Sequence, residues 1–276
     1  MIVHLIDGTY ELFRHFYGQR SFNKGKDKKY GAVIGVLHGT LQMIQDGATH
    51  VGVATDHVIE SFRNDLWSEY KTSAGMERAL LSQFHPLEDA LTLMGVEVWP
   101  MKELEADDAL ASAAYLAAKD KKVQKVCIWT PDKDLAQCVR TDRVVQIDRR
   151  AGVIRDEAGV RTKFGVNPSQ IPDFLALVGD SADGYPGIKG IGKSGAAGLL
   201  NEYGRIEDFP SKVLGAQKEL ALLFKDLATL RTNAKLFKKV DELKWRGPKK
   251  GFDQFAEKLG EIKLLERIAS IQNKLE

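Results

Sequence analysis

Short β-branched runs alternate with longer amphipathic segments through the first half of this 276-residue chain, and acidic residues follow almost every run. The alternation predicts an α/β domain with a mainly parallel sheet, strands covering 2–6, 50–55, 96–99, 125–130 and 143–147. Helices are expected between them, notably over 31–46, 86–94, 105–118 and 132–139. In such sheets ligands bind beyond the carboxyl ends of the strands, so the residues just after each strand matter most. Asp7 follows the first strand and Asp56 the second; the third leads to Glu105, Asp107 and Asp108, and the fourth to Asp132 and Asp134.

The segment "ELEADDALASAAYLA", residues 103–117, concentrates the problem. Glu105 and Asp108 share a helix face, where like charges repel. Carboxylates in a first turn also suit the partial positive charge of a helix N-terminus, so capping is one reading. The other is a hard divalent cation, which turns repulsion among oxygen ligands into coordination. A single acid after a strand is an ordinary turn residue. Acids after four successive strands would converge on one small area, where their repulsion is large without metal.

Composition narrows the class. The chain is 43% hydrophobic and 28% charged with a formal net charge of +2, an ordinary globular balance that by itself selects no partner. Two cysteines, Cys127 and Cys138, are too few for a disulfide scaffold. The histidines show no zinc-ligand spacing, and no apolar run is long enough for a membrane span. A soluble, cytoplasmic, nucleoid-associated monomer is the expectation.

Near residue 156 the strands give way to helical, Gly- and Pro-punctuated sequence. Within it, "GIKGIGKSGAAGLL" sets glycines at 187, 190 and 192 before a helix starting near Lys193. Glycines permit tight turns and close approach, and amides at a helix N-terminus bind anions; Lys189 and Lys193 make a phosphate the natural target. The spacing does not fit a nucleotide-binding P-loop. From 205 onward the chain is helical and Lys-rich.

In combination and order, "LIDGTYELFRHF", "GAVIG", "SFRNDLWSEYK", "ELEADDALA", "TPDKDLAQ" and "FLALVGDSADGYPGIKGIG" resemble the 5′ nucleases, the flap endonuclease and 5′-to-3′ exonuclease family that includes the N-terminal domain of bacterial DNA polymerase I. The resemblance covers roughly residues 1–245 and implies a PIN-like, resolvase-like α/β core over 1–155 with a helical arch at about 70–90. It further implies a helical DNA-binding region over 156–276 with a helix–three-turn–helix element at about 180–204. By the same resemblance the metal-binding acids are Asp7, Asp56, Glu105, Asp107, Asp108, Asp132, Asp134, Asp180 and Asp183, holding two divalent cations, Mg²⁺ or Mn²⁺. Arg63 and Lys71 form a basic pair at the arch base, and Tyr70 is the aromatic on which a base stacks. Arg14, Gly187, Lys189, Gly190, Ile191, Gly192 and Lys193 fall on DNA-binding positions, with K⁺ at the hairpin.

The activity implied is hydrolysis of DNA phosphodiesters at 5′ ends, flaps, overhangs or nicks, with RNA/DNA hybrids as a further substrate and a polymerase or sliding clamp as partner. A non-catalytic DNA-binding protein and a related ribonuclease are the alternatives. Two departures stand out. After Lys71 the chain reads "TSAGMERALLSQF", without the family's arginine and proline-rich stretch, leaving Arg78 as the nearest arginine on that side, and Gly184 replaces a common asparagine. The chain reads as a free-standing nuclease, with "KGKDKKY" (24–30) as an added source of phosphate contacts.

Overall fold

The computed structural model describes residues 1–22 and 28–275. Its sheet comprises β1 (Ile2–Asp7), β2 (His50–Asp56), β3 (Glu97–Met101), β4 (Lys125–Trp129), β5 (Val144–Asp148) and β6 (Val153–Arg155), in the spatial order β3-β2-β1-β4-β5-β6. All neighbours are parallel except β5 and β6. The expected strands are all present. The added β6 was too short to show a period, and it closes a hairpin whose turn bonds Ala151 N to Asp148 Oδ1 at 3.0 Å.

Helices α1 (Gly8–Phe22), α2 (Gly31–Gln45), the single turns α3 (Arg63–Leu66) and α4 (Arg78–Leu81), α5 (Phe84–Leu93) and α6 (Ala106–Lys119) follow in the first half. The second half contributes α7 (Glu157–Phe164), α8 (Ile171–Val178), α9 (Lys193–Tyr203), the short α10 (Ser211–Leu214), α11 (Lys218–Ala228), α12 (Phe252–Leu259) and α13 (Ile262–Leu275). The expected helix over 132–139 is instead a 3₁₀ turn, Asp134–Cys138, entered through Pro131. Among the described residues no helix is long and apolar enough to cross a membrane.

Helices α1, α2 and α5 cover one face of the sheet, burying Leu12, Val33, Leu37 and Leu91 against Ile6, Val51 and Val53. On the other face lies α6, whose alanines bring it close to Val3, Leu5, Val126 and Ile128. A third core joins α8, α9 and α11. The helices after residue 156 do not all pack into one core. Leu264, Ile268 and Ile271 of α13, spaced to share one helix face, return to the first core beside α2, and Trp245 Nε1 donates to Met94 O at 2.9 Å. Only the stretch to about Ala228 forms the separate helical core.

The arch expectation is likewise revised. Leu80, Phe84 and Leu87 are buried in the first core, so most of 70–90 is packed structure and only the stretch 72–77 stands out as a loop. The first-strand side supplies another limit: of "KGKDKKY", residues 24–27 lie outside the described residues, while Lys29 Nζ sits 5.1 Å over the Tyr30 ring.

Candidate metal centre

Strand order reverses at β1, which has β2 on one side and β4 on the other, so a crevice opens at its carboxyl end. Asp7 ends β1 there. Its Oδ1 accepts the Tyr10 amide at 2.8 Å, starting α1, and its Oδ2 accepts Thr130 Oγ1 at 2.9 Å. Asp56 ends β2 and accepts the Ala106 amide at 2.8 Å. Together with Asp107, Asp132, Asp183 and Lys71 they line a cavity of about 390 Å³.

Beside it, Asp134, Asp180 and Asp183 each bring one carboxylate oxygen within 4.8 Å of the others. Asp180 pairs with Lys133 at 2.7 Å and Asp183 with Lys71 at 3.0 Å. Asp134 Oδ1 is buried without a hydrogen-bond partner among the described residues. A buried, unpartnered carboxylate oxygen in a group of three carboxylates is costly unless a cation lies among them. The donor set is entirely oxygen, which fits a hard divalent ion.

The electrostatics agree. Burial first, then Asp56 and Asp132, push the Asp7 carboxyl up to about 7, and burial with Asp180 and Glu105 raises Asp183 to about 6 despite Lys71. Asp107 and Asp134 are raised well above the usual carboxylate range, by burial and then by Asp132 and other acids. An acid that holds its proton more tightly folded than unfolded stabilises the fold at low pH. That contribution disappears as pH rises through the interval between its unfolded and folded pKa, here about 4 to 7. Melting temperature of the metal-free protein is therefore expected to fall across this interval, and added Mg²⁺ to reverse the fall at its upper end. A melt series in EDTA and in Mg²⁺ checks this; stability rising with pH in EDTA would contradict it.

Four of the expected site residues take other positions. The Arg63 guanidinium is 1% exposed and forms a two-pronged pair with Asp108, both bonds 2.8 Å, while Nε donates to Leu227 O at 2.8 Å. It faces the interior, so the expected contact with a phosphate is corrected. Asp108 also accepts the Glu105 amide at 3.0 Å and the Arg231 amide at 2.8 Å, leaving no oxygen for a metal. Capping therefore explains Asp108, through a capping box with Glu105. Tyr70, expected as a stacking aromatic, is 3% exposed in the third core, with its hydroxyl 3.4 Å from Glu105. Glu105 is ringed by Lys71 at 2.8 Å, Arg63 at 3.2 Å and Ser61 Oγ at 2.6 Å. Burial would raise its carboxyl, but Lys71 and Arg63 outweigh burial and lower it.

The hairpin between α8 and α9 divides in the same way. Gly187 is buried at positive φ, and a Cβ there would meet Gly179 N at 2.4 Å, so it closes the turn. Lys189, Gly190, Gly192 and Lys193 are exposed and Ile191 half-buried. Arg14 is engaged by Glu11 and by His15 Nε2 at 2.8 Å. Gly184 has a structural cause: φ is +87° and a Cβ would stand 2.0 Å from Glu69 O, so asparagine would not fit. Sequence reading passed over Thr130 and Lys133, although both sit inside the acidic turn of "WTPDKDL" and a cation flanked by two aspartates was the available signal.

Carboxylates gathered at the switch point of a doubly wound sheet, with a basic helical hairpin beside them, define the class of metal-dependent nucleases. Matching models are "5'-3' exonuclease, N-terminal resolvase-like domain" over residues 2–165 and "5'-3' exonuclease, C-terminal SAM fold" over 166–251, and the chain belongs to this 5′-3′ exonuclease family. The 5′-3′ exonuclease of Buchnera aphidicola subsp. Baizongia pistaciae is 32% identical over 83% of this chain and 81% of its own length. DNA polymerase I of Pseudomonas aeruginosa is 33% identical over 87% of this chain, which spans only 28% of that longer protein. T5 5′-exonuclease with bound zinc shares the fold, with a TM-score of 0.64 at 20% identity over 95% of this chain and 99% of that one. The catalytic core of Rad2 in complex with DNA shares it too, with a TM-score of 0.60 at 14% identity over 97% and 91%.

Proposed function

We propose that this chain is a structure-selective 5′ nuclease that hydrolyses DNA phosphodiesters at 5′ ends, flaps or single-strand/duplex junctions, using Mg²⁺ or Mn²⁺. The observation that carries this reading is the Asp134, Asp180 and Asp183 carboxylate group, with Asp134 Oδ1 buried and unpartnered among the described residues, beside the Asp7, Asp56, Asp107 and Asp132 cavity. These seven side chains would hold the ions; when bound, divalent cations supply a nucleophilic water near neutral pH and offset charge on the attacked and leaving oxygens.

The chain's own residues do the rest. Lys71 lines the cavity between Glu105 and Asp183, where its ammonium is placed to neutralise a phosphate entering the crevice. Glu105 and Asp183 hold that ammonium in place, so Glu105 acts through Lys71. Lys189, Lys193 and the amides opening α9 form an exposed basic corner suited to duplex phosphates, contacts that carry no base information. K⁺ at that hairpin belongs to the same reading through the family resemblance.

Incubating the protein with an end-labelled 5′-flap duplex in Mg²⁺ and in EDTA tests the proposal: cleavage in the first and none in the second is expected. Absence of cleavage with either Mg²⁺ or Mn²⁺ would overturn it. Lys71→Ala should lower kcat by about 10²-fold or more, the cost of losing one positioned cation at developing negative charge. Its Mn²⁺ affinity should not weaken, since Lys71 competes with a cation for Asp183, as calorimetry will show.

A further inference from the structure

Glu88 lies on α5, outside the cavity and only 7% exposed. Its two oxygens are taken by the residues on either side of Asp56. Thr55 Oγ1 donates to Oε1 at 2.9 Å, and His57 Nδ1 lies 2.7 Å from Oε2. Side chains alternate along a strand, so Thr55 and His57 turn toward α5 while Asp56 turns the opposite way, toward the α6 amide it accepts. One carboxylate thereby pins both neighbours of a single site residue.

Packing does not require this acid. Leu87, Ala90 and Leu91 already seat α5 in the core, and a buried carboxylate is costly unless it is hydrogen-bonded, as Glu88 is to Thr55 and His57. The end of β2 is also held by its ladder to β3, by His85 Nε2 at 3.2 Å from His57 O, and by the Ala106 amide on Asp56 Oδ1. His57 N donates to Met101 O at 2.8 Å and Asp56 N to Thr9 Oγ1 at 2.9 Å; the Ala106 amide holds one Asp56 oxygen, and the Glu88 clamp fixes the backbone on both sides from which that carboxylate projects. The His85 ring, stacked on His57 at 4.2 Å between centroids and 8° between planes, closes the outer side of this clamp.

We infer that Glu88 is a positioning residue for Asp56: by clamping Thr55 and His57 it orients the Asp56 carboxylate toward the cation site. The inference rests on the divalent-cation reading above. Partners one bond removed from a ligand typically change metal affinity 10- to 100-fold when lost.

Calorimetric titration of the DNA-free protein with Mn²⁺ tests it. Glu88→Ala should weaken binding by about tenfold, and Glu88→Gln, which keeps an acceptor and a donor in the same place, should recover most of the loss. Equal Mn²⁺ affinity in Glu88→Ala and the parent, with only a lower melting temperature, would overturn the inference, because a purely packing role moves stability and leaves affinity alone. If Glu88→Ala fails to fold, Thr55→Val removes one arm of the clamp at nearly constant shape; weaker Mn²⁺ binding is then expected, and unchanged binding overturns the inference. A parent protein that binds no Mn²⁺ would instead remove the cation reading itself, and the role of Glu88 with it.

Discussion

Asp134→Asn should abolish cleavage and at the same time make the metal-free protein more stable. The side chain keeps its shape and loses its charge. With one anionic ligand gone from the Asp134, Asp180 and Asp183 group, several kcal/mol of transition-state stabilisation are lost, so cleavage should fall by about 10³-fold or more. Without metal the sign reverses. Burial and the neighbouring Asp132, Asp183 and Asp180 oppose ionisation of Asp134, so removing its charge relieves that burial cost and repulsion. Melting in EDTA should rise by a few degrees, while the increment from Mg²⁺ shrinks. Single-turnover cleavage and paired melts measure both signs. An active variant, or one less stable than the parent in EDTA, would show that this carboxylate is structural.

Asp108→Ala is expected to be the most destabilising change in the acidic segment. It takes the two-pronged partner from the buried Arg63 guanidinium, leaving Glu105 at 3.2 Å as its remaining acid, and strands the Glu105 and Arg231 amides, a loss of about 3–5 kcal/mol. Stabilities of folded domains are about 5–15 kcal/mol, so the variant should unfold within a few degrees of working temperature. Replacing both partners, Arg63→Met with Asp108→Leu, removes the unpaired charge as well as the pair and should recover part of the loss. Chemical denaturation of the two singles and the double measures the coupling. Additive losses would mean the pair does not act as a unit. A folded Asp108→Ala variant with weakened Mn²⁺ binding would restore Asp108 to the ligand set.

Stability and function are thus entangled in one stretch of sequence for different reasons. Asp107 and Asp108 are adjacent and chemically identical, yet one lines the cavity and the other is sealed inside. On a helix consecutive residues point about 100° apart, so pattern alone says that they differ and not which one faces the ligand. The choice is made by Arg63, 45 residues earlier in the chain, which meets Asp108 only after β2 and α6 have packed. Tyr70 and Gly187 show the same limit. Tyr70 sits beside Lys71, which lines the cavity, and Gly187 two residues before the exposed Lys189; Tyr70 is turned in by a core, and Gly187 is held against the Gly179 backbone, neither of which local sequence describes.

The amino-acid sequence determined the strands, their carboxyl-end acids and the glycine hairpin, because β-branched runs, strand-end carboxylates and turn glycines are local requirements of backbone geometry. Tertiary structure decided which acids face open space and which are buried against cations. It also returned the last helices to the first core and set Glu88 behind Asp56. Those outcomes depend on charges and surfaces distant in the chain, whose interaction energy exists only once packing has excluded water between them.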